Sequence, residues 1–363
     1  MDTYLPLKKV AEIFGDPSLR SQITKLEESG DIPPSRKYRS GALFRKGWSR
    51  NVLPQIGEKV GYFKKFDRPV ALSVFTTKGG VLKSTLALNL ARTAALHGMR
   101  TCVVGLDIQG DVTTALGHDC DLDNGSDLED IIERLDQTKG LSDLFSGQVS
   151  LDEIIVQVGL PNLFVIPETP ELVALNDSLN NINRREFWLK EKVVNPLKDY
   201  FDLIIMDCSP NWNKLTTNAL VACDALISPL ECKINNFRNF KVFGHFLKEF
   251  KDEMGLDFES VFVPTKYSQN RKLSNDILNW YQGNVDGCTS IGIRQSVLAE
   301  EAMALNLSIV EHASTKPIAG ELMTLMREIH DRVENHLEET ADNGHQGARV
   351  NGAGRIQNIE GRF

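Results

Sequence analysis

Two lysines, Lys78 and Lys83, bracket a glycine pair in the run Thr76-Thr77-Lys78-Gly79-Gly80-Val81-Leu82-Lys83-Ser84-Thr85. An apolar, strand-like segment (residues 70–75) precedes the run, and a helical pattern, Leu86-Ala87-Leu88-Asn89-Leu90-Ala91, follows it. Strand, glycine turn, then Lys-Ser/Thr at a helix start is a geometry that holds nucleotide phosphates. Backbone N–H groups from Gly79, Gly80, Val81 and Leu82 through Thr85 would point at the anion, and the helix dipole adds to the attraction. Lys83 would reach the β- and γ-phosphates, and the Ser84 hydroxyl would ligate Mg²⁺. Lys78 stands too far back to hold the same phosphates easily, but it could reach across a dimer interface to a partner's nucleotide.

Carboxylates at two other strand ends could complete such a site. The segment Arg100-Thr101-Cys102-Val103-Val104 leads into Gly105-Leu106-Asp107-Ile108-Gln109-Gly110. A lone Asp there also suits a helix cap or a turn. In Phe201-Asp202-Leu203-Ile204-Ile205-Met206-Asp207-Cys208-Ser209-Pro210, four apolar residues end in Asp207. Such a run reads as a buried parallel strand with a carboxylate at its C-terminal edge, where open α/β sheets place ligand chemistry.

Together these three segments resemble the ParA/MinD ATPases. The first is similar to the deviant Walker A signature K-G-G-x-G-K-[ST]-[ST], with Leu82 where glycine is usual. The second resembles D-x-D-P-Q-G, with Gly105 for the first Asp and Ile108 for the proline. The third is similar to the Walker B element. Leu82 and Gly105 both look like the longer, DNA-binding SopA-type subgroup. The resemblance implies that Lys78 acts in trans in an ATP-sandwich homodimer, with Lys83 and Asp107 serving hydrolysis. Asp107 would orient the attacking water, and Asp207 would hold Mg²⁺ through water. Pro264 and Thr265, in Val263-Pro264-Thr265-Lys266-Tyr267, would contact the adenine. The cations Lys266, Arg271, Lys272 and Arg294 either form a surface for non-specific DNA or merely solubilise an acidic domain. A ParB-like centromere-binding partner would stimulate a slow ATPase that segregates a plasmid or chromosome, in the cytoplasm on the nucleoid. The alternative is a nucleotide-switched transcriptional regulator with little hydrolysis.

The elements that must position these residues follow from composition and periodicity. With 363 residues, 41% hydrophobic and 25% charged, the chain has the makeup of a soluble globular protein larger than one typical domain. No stretch of eighteen apolar residues and no signal-peptide pattern occurs, so no membrane partner is expected. Six cysteines without a C-x-x-C pair give no zinc or disulfide framework. Residues 1–66 hold 13 Lys+Arg against 7 Asp+Glu, a net +6 within a chain of net charge −8. A basic head on an acidic body points to an anionic partner such as DNA.

Within the head, Leu7 to Gly15 and Leu19 to Glu28 have apolar residues at helical spacing, joined by Asp16-Pro17-Ser18. Helix, tight turn, helix is the helix-turn-helix plan. The following Gly30-Asp31-Ile32-Pro33-Pro34-Ser35-Arg36-Lys37-Tyr38-Arg39 resembles the wing of MerR-type winged-helix domains. Arg36, Lys37 and Arg39 would then contact phosphate, and Arg20, Ser21, Gln22 and Lys25 lie where base edges of an operator could be read. The other reading is a basic hairpin that only packs on the body. SopA-type proteins usually carry an extra N-terminal dimerising helix. Here the helices begin close to Met1, which leaves nucleotide-free dimerisation open.

From residue 67, strands (70–75, 100–106, 163–166, 203–207, 225–229, 260–264) alternate with helical patterns (213–222, 237–254, 296–305, 321–337). The expected fold class is α/β: a mostly parallel sheet flanked by helices, of the P-loop NTPase kind, preceded by a small winged helix-turn-helix domain. The domain boundaries are 1–66, 67–338 and a disordered tail, 339–363. An acidic loop at 119–130 offers no chemistry beyond solvation, and Ile359-Glu360-Gly361-Arg362 matches a protease-cleavage sequence.

Overall fold

Each of the first two helices stops at a glycine that takes a left-handed turn. Helix α1 (Leu7–Ile13) gives way to Gly15 at φ 91°, and α2 (Leu19–Ser29) is capped by Gly30 at φ 80°. Around them, β1 (Tyr4–Pro6), β2 (Arg36–Ser40) and β3 (Leu43–Ser49) form an antiparallel sheet in the order β1-β3-β2, and α3 (Leu53–Val60) leads out of the head. The structure is a computed structural model that describes residues 4–41, 43–118 and 137–353; the acidic loop expected at 119–130 lies outside them.

In the body, near-continuous Val/Ile/Leu runs buried on both faces form the inner strands of a parallel sheet. The strands are β4 (Val70–Val74), β5 (Thr101–Leu106), β6 (Val156–Gln157), β7 (Leu163–Ile166), β8 (Leu203–Cys208), β9 (Ala225–Glu231), β10 (Glu259–Tyr267) and β11 (Ile293–Arg294). They pair in the order β11-β10-β9-β4-β8-β5-β7-β6, parallel except for β6 against β7. The six inner strands lie where the sequence places them; β6 and β11, two residues each, are too short for periodicity to reveal. Alternation along β4 sends Val70, Leu72 and Val74 into one core layer and Ala71 into the opposite one.

The helices used below are α4 (Lys83–Leu96) and α5 (Asp111–Ala115). The head packs on the body: Val10, Ile13, Phe14, Leu53 and Ile56 belong to the same core layer as α4 and the last helix. One expectation needs correction. Residues 339–353, expected to be disordered, continue that last helix, Pro317–Ala353. Buried Leu322, Leu325, Ile329, Val333 and Leu337 anchor the helix, and Glu338, Glu339 and Ala341 are good helix formers that prolong it. Residues 354–363 lie outside the described residues. Among the described residues, no helix is long and apolar enough to cross a membrane.

Candidate nucleotide-binding site

The loop between β4 and α4 sits at the C-terminal edge of the sheet, where β4, β8 and β5 run side by side. Register pairs Val74 with Asp207 and Gly105 with Asp207. Gly80 takes φ 70°, and a Cβ on Gly79 or Gly80 would meet nothing within 4 Å, so the loop is an open cradle. Lys83, the first residue of α4, is 7% exposed, and Ser84 follows it at the helix N-terminus.

Leu82 caps α4 with φ 76° and ψ 28°, the left-handed conformation that glycine normally supplies. A non-glycine residue there costs on the order of 1–2 kcal/mol. Its side chain recovers part of that by packing against the core.

Asp207 is fully buried, and neither carboxylate oxygen has a hydrogen-bond partner. Burial pushes it up to about 7, with the charge of Lys83 opposing. A buried carboxylate left unpaired carries a desolvation penalty that a cation would relieve. Asp107 accepts a hydrogen bond from the Gln109 N–H at 3.3 Å; burial pushes it up, against Gln109 and Lys83. An open backbone cradle, a lysine at its base, a hydroxyl and an orphaned carboxylate fit a phosphate with its divalent cation.

Lys78, with 38% of its side chain exposed, is held by partners within the chain. Its Nζ donates to Glu231 Oε2 at 3.3 Å and to Asn236 Oδ1. Glu231 also pairs with Lys233 at 2.6 Å. Burial would push Glu231 up, but hydrogen bonds from Lys233, Asn236 and Lys78 outweigh it and hold the carboxyl below its ordinary value. Glu231 and Asn236 carry no motif, so sequence reasoning missed them.

Pro264 and Thr265, expected beside the adenine, are buried in β10. The Thr265 hydroxyl donates to the Val81 carbonyl at 3.1 Å, so it braces the phosphate loop from beneath. Lys266, at φ 53°, donates to the Gly80 carbonyl at 2.6 Å. Arg294 is held by Glu321, Nε and Nη2 lying 2.7 and 2.6 Å from the same carboxylate oxygen. Two of the four cations expected to meet DNA therefore have partners within the chain. Arg271 and Lys272 are exposed.

In the head, Arg20, Ser21, Gln22 and Lys25 are exposed on α2, as are Arg36, Lys37 and Arg39 on β2. The Arg20 Nε donates to the Pro17 carbonyl at 2.9 Å, and the Arg39 Nε to that of Gly41 at 3.2 Å. Arg45 and Lys46 on β3, which the wing-like motif does not include, are exposed too. Lys37 stands directly opposite Lys46. Like charges facing across a ladder are destabilising unless an anion lies over them.

Comparison with known proteins identifies the family and the fold. The family model described as an AAA domain matches residues 70–259. The chromosome partitioning protein ParA of Myxococcus xanthus is 30% identical over 214 residues, 58% of this chain and 70% of that protein. Among solved structures, apo McdA of Cyanthece superposes with a TM-score of 0.60 at 17% identity, over 74% of this chain and 100% of that one. A Mycobacterium smegmatis cobyrinic acid a,c-diamide synthase, solved with a bound ATP analog and magnesium, gives 0.57 at 23% identity, over 74% and 96%. These two likenesses establish the fold. Family model, curated relative and the three motifs at one sheet edge agree: the chain belongs to the ParA-type family of partition proteins and carries that family's AAA domain.

Proposed function

We propose that the chain is a Mg²⁺-dependent ATPase that uses nucleotide to control dimerisation and DNA binding in the segregation of a plasmid or chromosome. The observation that carries this reading is Asp207, buried with both oxygens unpaired beside the cradle formed by Gly79 to Ser84. Backbone N–H groups of the cradle bind the phosphates, and Lys83 neutralises their inner charge. Ser84 and Asp207 are the residues that would hold magnesium, Asp207 through water. When bound, the metal supplies charge neutralisation to the phosphate oxygens. Asp107, at the end of β5, orients water for attack. Replacing Asp107 by Ala removes a contact made in the transition state and should lower hydrolysis by about 10²-fold or more while ATP still binds. Hydrolysis at the wild-type rate in Asp107→Ala would contradict the assignment.

Lys78 acts on the partner's nucleotide in an ATP-sandwich dimer, after leaving Glu231 and Asn236. Lys78→Ala should therefore bind ATP as a monomer, and a normal ATP-dependent dimer in sedimentation would sink that role. The head binds an operator and represses its own genes through α2 and the β2–β3 hairpin, its exposed cations supporting this role. Arg271 and Lys272 contribute to non-specific DNA binding by the dimer, and a ParB-like partner stimulates release.

The second reading, a nucleotide-switched regulator with little hydrolysis, draws support from one observation. Lys266 and Arg294 are engaged within the chain, which takes two of the four expected cations away from a non-specific DNA surface on the body. Turnover in the presence of DNA separates the two readings.

A further inference from the structure

Gly105 removes the first carboxylate of the D-x-D pattern, and its place is filled. A Cβ built on Gly105 would lie 2.2 Å from Glu168 Cγ, 2.5 Å from Cδ and 3.0 Å from Oε1. Because Gly105 and Asp207 are register partners, side chains at both positions leave the same face of the sheet. The Glu168 carboxyl therefore lies beside Asp207, where a side chain on residue 105 would be. Glu168 comes from the end of the neighbouring strand, β7.

One oxygen of Glu168 is engaged. Oε2 accepts from the Thr113 backbone N–H at 3.1 Å and from the Thr113 hydroxyl at 2.6 Å, while the Glu168 N–H donates back to that hydroxyl at 3.0 Å. The other, Oε1, is shut off from solvent without a partner. Thr113 lies on α5, which begins four residues after Asp107, at Asp111. A ring of three hydrogen bonds thus ties the segment following Asp107 to β7 and sets a further carboxyl next to Asp207.

We propose that Glu168 supplies the carboxyl group that residue 105 lacks, a positioning residue that enters from the adjacent strand and fixes the Asp107–Thr113 segment against Asp207. The proposal rests on the reading of this edge as a site of ATP hydrolysis. It explains why glycine stands at 105: any larger side chain would displace Glu168.

The test is a double-substitution cycle on the full chain with wild type, Glu168→Ala, Gly105→Asp and Gly105→Asp/Glu168→Ala. Hydrolysis is read as kcat, and nucleotide binding separately as Kd for a fluorescent ATP analogue. Glu168→Ala should lower kcat roughly 10- to 100-fold, the loss expected when a reacting geometry drifts. Its Kd should stay within about threefold of wild type, because binding to the cradle is not touched. Gly105→Asp alone should also lose kcat, since two side chains then compete for one place. The double variant should recover to within about tenfold of wild type, a strongly non-additive result. A double variant no better than Glu168→Ala, or a Glu168→Ala protein with wild-type kcat, would overturn the proposal.

Melting of the same four proteins without nucleotide separates this proposal from the reading beneath it. Should wild type hydrolyse no ATP, the hydrolysis reading fails, yet the double variant must still melt higher than the sum of the single losses; simple additivity counts against Glu168. Glu168→Met keeps the volume but offers Thr113 no oxygen acceptor, and serves if Glu168→Ala does not fold. Lost kcat at unchanged Kd in that variant supports the proposal, and wild-type kcat overturns it.

Discussion

Leu82 shows how a single backbone angle shapes the phosphate loop. It holds φ 76° with a side chain that is only partly buried against the core. Leu82→Gly trades strain for lost packing, and the two effects nearly cancel, so unfolding free energy should change by less than about 1 kcal/mol. Leu82→Val keeps an apolar side chain but adds β-branching in a left-handed position, and should destabilise by about 1 kcal/mol or more. Denaturant melts of the two variants check this; a Val variant as stable as wild type would show that the backbone carries no strain there.

Glu168 sets a pH dependence at the same scale. Burial, reinforced by the charge of Asp207, pushes its carboxyl up to about 8, with the Thr113 hydrogen bonds opposing and Asp107 adding to the rise. Asp207 is itself pushed up to about 7 by burial. Raised values mean that the folded chain holds these protons more tightly than the unfolded chain. The associated stability is therefore fully present below the ordinary carboxylate range near pH 4 and is lost as pH rises through about 7 to 8. The nucleotide-free protein should melt several degrees lower at pH 8 than at pH 5, and Glu168→Gln should flatten that slope. An unchanged slope in the variant would assign the dependence elsewhere.

At the scale of elements, the phosphate-loop helix is tied to the short helix Ile309–Ala313 by a buried ion pair. Arg92 Nε and Nη2 meet the two oxygens of Glu311 at 2.6 and 2.8 Å, and both side chains are 2% exposed. Ser308, which caps that helix, also donates to Glu311 at 2.8 Å. Removing one partner strands the other charge, so Glu311→Ala should cost about 3–5 kcal/mol, read from chemical denaturation. A loss below about 1 kcal/mol would mean that water already screens the pair.

The elements nearest the chemistry were the most legible in the sequence. Apolar runs ending in Asp107 and Asp207 announced buried strands, and the Lys-Gly-Gly run between β4 and α4 announced the loop. What stayed hidden depends on contacts distant in sequence. Nothing local distinguishes Glu168 from any acid after a strand, although Gly105, as a missing carboxylate, was a signal that something else fills its place. Thr265 and Lys266 brace the loop, and Arg294 turns to Glu321, because tertiary partners lie within reach; composition could not tell them from free surface groups. Arg45 and Lys46 emerged only when the hairpin register set Lys46 against Lys37.

For the molecule as a whole, the head is built into the body. Helix α3 packs so closely on α4 that a Cβ on Gly57 would come 2.0 Å from the Leu96 carbonyl oxygen. Leu53, Ile56, Phe63 and Phe66 are all buried. Deleting residues 1–66 would expose this apolar layer, so the truncated protein should aggregate rather than report on DNA binding. Charge reversal on the hairpin, Lys37→Glu with Lys46→Glu, leaves the core intact and should abolish operator binding in a mobility shift while ATP hydrolysis stays within about twofold. Operator binding at wild-type affinity in that variant would remove the hairpin from the interface.

The central claim, that magnesium nucleotide at this site switches the chain between monomer and dimer, is tested most directly by sedimentation velocity of the Asp107→Ala protein. With ATP and Mg²⁺ the variant, unable to hydrolyse, should sediment as a stable dimer, and chelating the metal should return it to monomer. A protein that binds ATP yet sediments as a monomer under both conditions would contradict the account.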